Sequence, residues 1–126
     1  MKSIVLSLTI SFFLAFSFTS IHAENTVRTK GVKGIVVAES FKVFGNCGMC
    51  EKNIETAALS MKGVKKAEWD KESKMLEVIF NTDKVTLDEI KKKIALAGYD
   101  TKKFQSTDNN YSKLAGCCQY ERPKNE

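Results

Sequence analysis

The sequence predicts an α+β fold, one antiparallel sheet with two helices on one face, in the order βαββαβ. Three observations predict it. Apolar residues recur with period two in several short stretches and with helical period in two longer ones. Turn residues separate these stretches at short intervals. The whole pattern closes within residues 35–104, the size of one small domain.

Strand one spans about Val36 to Phe44, where Phe41 and Val43 alternate with Ser40 and Lys42. Gly45 to Met49 is a loop. Cys50 to Met61 is helical, because Ile54, Ala57, Ala58 and Met61 fall on one face, and Gly63 stops it. Strand two runs from Val64 to Trp69, with Ala67 and Trp69 sharing a face. Asp70 to Lys74 is a polar turn. In strand three, Met75 to Phe80, the shared face holds Leu76, Val78 and Phe80. Thr86 and Glu89 form the T-x-x-E capping box that starts helix two. Leu87, Ile90, Ile94 and Ala97 are its apolar stripe, and Gly98 ends it. Tyr99 to Phe104 is the fourth strand. This is the ferredoxin-like plan. Residues 105–126 form a tail in which Tyr111 to Gly116 suits one or two helical turns and Tyr111 and Leu114 pack it onto the domain.

Composition narrows the function classes. A chain of 126 residues holds one small domain with attachments and excludes a large Rossmann enzyme or a barrel. The net charge is +5, with basic residues scattered. Lys65-Lys66 and Lys91 to Lys93 read as solvated faces, so no nucleic-acid partner is expected. Residues 1–23 have a basic start at Lys2, an apolar stretch from Ile4 to Phe18, and Ala23 at a small-residue exit. That is the order of a secretory signal peptide cut near Ala23, so a secreted or periplasmic location is expected, with membrane contact only through the transient signal. Residues 24–34 read as a flexible leader. Cleavage removes His22, the only histidine. Ser-His-Asp and Cys-His catalysis are then excluded, and any metal must rest on sulfur and oxygen.

Cys47-Gly48-Met49-Cys50 lies between a strand and a helix. Spaced three apart at a helix entry, two sulfurs can converge. The unpaired N–H groups and positive dipole end there favour thiolates. Two thiolates suit a soft, low-coordinate cation such as Cu(I) and fall short of a four-ligand structural zinc site. The rival chemistry is dithiol–disulfide exchange, a small thiol oxidoreductase with Cys47 attacking. A third reading is a disulfide-stapled interaction module without a ligand. The only proline is Pro123, in the tail, so no proline faces the cysteine pair as in thioredoxin-like folds.

The stretch Gly45 to Cys50, the element order and Ala97-Gly98-Tyr99 resemble the heavy-metal-associated domain over about residues 36–104. That family includes copper chaperones, domains of copper-transporting ATPases and periplasmic mercury-binding proteins. The resemblance implies that Cys47 and Cys50 bind one soft ion in an exposed loop, and that Tyr99 lies near it. It implies a non-enzymatic carrier of Cu(I), with Hg(II), Zn(II) and Cd(II) as other ions. Its partners would be metal-donating or metal-accepting proteins, a metal transporter among them. One departure is plain. The family places Met two residues before the first Cys, packed beneath the loop. Here Gly45 stands there, and the methionine, Met49, is inside the pair, where it is a candidate thioether neighbour.

Cys117 and Cys118 are adjacent in the tail. Three readings stand side by side. The tail thiolates complete a four-sulfur site with Cys47 and Cys50, or they bind metal independently, or they form structural or intermolecular disulfides. A bridge to the core over so long a loop would contribute roughly 4 kcal/mol.

Overall fold

The computed structural model describes residues 34–124. The elements in chain order are β1 (Val36–Lys42), α1 (Gly48–Leu59), β2 (Val64–Trp69), β3 (Met75–Asn81), α2 (Leu87–Leu96) and α3 (Asp108–Ser112), then a 3₁₀ turn at Gly116–Cys118. The sheet order is β1-β3-β2, with both pairings antiparallel. Phe41 and Trp69 both stand opposite Leu76, so the apolar faces of the three strands coincide. Between Val64 and Lys66 the register shifts by a bulge.

The core lies between this sheet face and the two long helices. Leu76, Val78 and Phe80 of β3 meet Ile54 and Ala58 of α1 and Ile90 and Ile94 of α2, all buried. The capping box forms as its spacing predicts. Thr86 accepts from the Glu89 N–H, and the Glu89 carboxylate accepts from the Thr86 N–H. Gly98 ends α2 at φ +106°, a backbone conformation that a side chain would strain.

The architecture is the ferredoxin-like plan with one change. Where a fourth strand is expected from Tyr99 to Phe104, a single antiparallel bridge joins Val43 to Thr101. The reason is local. Thr101 closes on Phe104, its N–H and hydroxyl both donating to the Phe104 carbonyl at 2.8 and 3.0 Å. Its backbone donor is therefore spent inside a turn and cannot serve a ladder. Helix α1 also begins two residues earlier than its apolar spacing suggests, so that Cys50 lies in its first turn.

Among the described residues no helix is long and apolar enough to cross a membrane. The segment 1–23, expected to be a signal peptide, and nearly all of the expected leader lie outside the described residues.

Candidate metal centre

Cys47 is the N-cap of α1, in extended backbone, and its sulfur faces the loop at the helix start. Cys50, one turn in, points the same way. The two Sγ atoms are 3.4 Å apart. The Asn46 N–H donates to the Cys50 sulfur at 3.3 Å. Cys50 is buried and Cys47 half-buried, so one sulfur is anchored and the other faces solvent. Gly48 has nothing near its Cα on the side-chain side, which leaves the loop open.

The electrostatics favour a thiolate at Cys47. The backbone N–H of Cys50 points at its sulfur, and the Cys50 and Cys118 thiols add to this. Against a smaller opposing effect of burial, they lower its pKa to about 7.

Cys118 comes into the same place from the C-terminal segment. Its sulfur is 3.7 Å from that of Cys47, and the sulfurs of Cys47, Cys50 and Cys118 all lie within 4.8 Å of one another. Burial, with the Cys50 thiol beside it, pushes the Cys118 pKa up to about 12, so it is a neutral thiol. Cys117 does not join the cluster. It is exposed, with its sulfur 4.0 Å from that of Cys118. The four-sulfur arrangement thus gives way to three sulfurs. Neighbours in a 3₁₀ turn project about a third of a turn apart, so Cys118 facing inward turns Cys117 outward. All four cysteines are free thiols.

Tyr99 is fully buried, and burial raises its pKa. The Asn53 amide donates to its hydroxyl oxygen at 3.0 Å, and the hydroxyl lies close enough to Cys118 for each group to shift the other's pKa. Met49 is 52% exposed.

Two groups of residues position the site. The first is Trp69, whose indole N–H donates to the Val43 carbonyl at 3.1 Å. A Cβ on Gly45 would lie 3.1 Å from two atoms of that ring and 3.2 Å from the Cys50 Cβ. The indole occupies the space beneath the loop, which accounts for a residue without a side chain at position 45.

The second group docks the tail. The Tyr120 hydroxyl accepts from the Asp100 N–H at 2.7 Å and donates to the Gly98 carbonyl at 2.9 Å. Its ring stacks on Tyr99 with centroids 6.0 Å apart and meets Tyr111 edge-on at 5.2 Å. Arg122 grips the fully buried Asp100 carboxylate through Nε at 2.8 Å and Nη2 at 2.9 Å. Neither Tyr120 nor Arg122 stands out in the sequence. The only signal is an aromatic residue and an arginine just after the cysteine pair.

The profile of the heavy-metal-associated domain matches residues 40–100. Copper chaperone CopZ of Staphylococcus saprophyticus is 35% identical over 68 residues, covering 53% of this chain and all of that protein. Among solved structures, a CopZ metallochaperone aligns with TM-score 0.50 at 30% identity, over 52% of this chain and 98% of its own. Oxidised MerP of Ralstonia metallidurans aligns with TM-score 0.50 at 25% identity, over 54% and 99%. A copper-binding domain from a P-type ATPase aligns with TM-score 0.50 at 27% identity, over 52% and 89%. The matched residues end at Asp100, so Cys117 and Cys118 lie beyond them.

Proposed function

Because this chain belongs to the heavy-metal-associated domain family, as a copper-chaperone-like member with a Cys-x-x-Cys loop, we propose that it captures and passes on a soft metal ion, Cu(I) before others. The observation that carries this reading is the pair of sulfurs of Cys47 and Cys50, 3.4 Å apart where a loop enters α1, one anchored and one reachable from solvent. Thiolate pairs favour soft cations. With no histidine among the described residues, sulfur dominates the available ligand chemistry.

Transfer follows by ligand exchange. An acceptor's thiolate bonds to the metal, and Cys47 then leaves with its electron pair. A leaving thiol with pKa about 7 departs readily. The acceptor we infer is another soft-metal site, such as a metal-binding domain of a transporter. The same fold in a copper-binding domain of a P-type ATPase supports this. The role is binding and exchange, without a catalytic residue. The work is done outside the cytoplasm, with residues 1–23 removed on export.

The test is a titration of the reduced protein with Cu(I) against a chelator of known affinity, repeated with Cys47→Ser and Cys50→Ser. The reading predicts one tightly held ion per chain and at least tenfold weaker retention in each variant. Unchanged retention in both would overturn it. Hg(II), Zn(II) and Cd(II) as competitors rank the ions. Insulin reduction that depends on Cys47 would favour the thiol oxidoreductase instead.

A further inference from the structure

We propose that Cys118 is the third ligand of the bound ion, so that the C-terminal segment, which lies outside the family match, closes a three-sulfur site. This rests on the carrier reading above and specifies the coordination of the same ion.

The distances favour it. A metal bonded to thiolates at about 2.3 Å separates its sulfurs by about 4.0 Å in trigonal coordination and about 4.6 Å in linear coordination. Cys47 lies 3.4 Å from Cys50 and 3.7 Å from Cys118, and no pair in the cluster exceeds 4.8 Å. Adjustments of less than about 1 Å in each separation admit a trigonal ion. A linear site would force Cys47 and Cys50 further apart and leave the Cys118 sulfur against the metal without a bond.

The placement of Cys118 is built. The 3₁₀ turn is closed by the Cys118 N–H donating to the Ala115 carbonyl at 2.7 Å. Two residues on, Tyr120 is buried against Tyr99 with its hydroxyl held by two backbone partners. Arg122 then fixes the chain to Asp100 from the other side. A sulfur held between such anchors has little freedom to leave, and fixed ligands bind at lower entropic cost.

Cu(I) with three thiolates carries a net charge of −2, and the protons of Cys118, of Cys50 and of any Cys47 still protonated pass to solvent as the three sulfurs bond the ion. The positive end of α1 faces this charge. A third sulfur slows spontaneous loss of the ion. An incoming thiolate replaces one of the three without passing through a bare cation.

X-ray absorption on the monomeric, reduced, Cu(I)-loaded protein counts the sulfurs. Wild type and Cys117→Ser should each show three, and Cys118→Ser two, with Cu(I) retention weakened at least tenfold in Cys118→Ser alone. Two sulfurs in the wild type would overturn the third ligand while leaving the carrier reading intact. Three sulfurs persisting in Cys118→Ser would do the same. A wild type that retains no Cu(I) would overturn both. The wild-type count decides even if a variant fails to fold.

Discussion

Replacing Arg122 by alanine releases the C-terminal segment from the domain. The Asp100 carboxylate is fully buried and accepts from Arg122 Nε, from Arg122 Nη2 and from the Ser106 N–H at 2.7 Å. Without the guanidinium, a buried negative charge keeps one partner. Breaking a buried pair in this way costs about 3–5 kcal/mol. The segment relieves most of that cost by lifting off and letting water reach Asp100, because local opening is cheaper than global unfolding. Cys118 then becomes reachable. At about 1.4 kcal/mol per tenfold, alkylation of Cys118 should accelerate by at least about 100-fold. Arg122→Lys keeps the charge but loses the planar fork, and should lie between. Cys118 labelling as slowly in Arg122→Ala as in the wild type would show that Tyr120 alone docks the segment.

The second large effect is at Trp69. Its side chain is 3% exposed, fills the space under the metal-binding loop, and donates to the Val43 carbonyl. Trp69→Ala leaves a large cavity between β2 and the loop, and such truncations cost about 3–5 kcal/mol. The midpoint of urea unfolding, followed by circular dichroism since Trp69 is the only tryptophan, should fall accordingly at an unchanged slope. Trp69→Phe keeps most of the ring and should lose only about 1 kcal/mol, the hydrogen bond. A loss below about 1 kcal/mol in Trp69→Ala would mean that the loop collapses onto the vacated space, and that Gly45 does not owe its small size to the indole.

Much of this architecture is written locally. The Thr86–Glu89 box, the alternation of Leu76, Val78 and Phe80, and the Ile54–Ala58 face depend on neighbours a few residues away, and each forms as its spacing implies. The Cys47–Cys50 pair is legible for the same reason, since both sulfurs belong to one helix start. The fourth strand is not. Whether Thr101 joins a ladder or turns back on Phe104 depends on two competing acceptors, and strand propensity does not rank them. The position of Cys118 is the least legible feature. It depends on Arg122 finding Asp100, 22 residues earlier, and on Tyr120 finding Gly98, also 22 residues earlier. Neither pairing leaves a periodic trace. The sequence points to Tyr111 and Leu114 as the docking residues. Both take part, Leu114 against Gly98 and Tyr111 through its hydroxyl to the Tyr120 carbonyl, but Tyr120 and Arg122 hold the segment from inside.

The most direct test of a shared ion at α1 is cysteine footprinting. Reduced protein is alkylated with and without one equivalent of Cu(I), and the modified positions are mapped by mass. Without metal, Cys47 reacts near neutral pH, because its pKa is about 7 and its sulfur is partly exposed. With Cu(I), modification of Cys47 should stop while exposed Cys117 continues to react. Equal labelling of Cys47 in both samples would contradict a metal ion held at this loop.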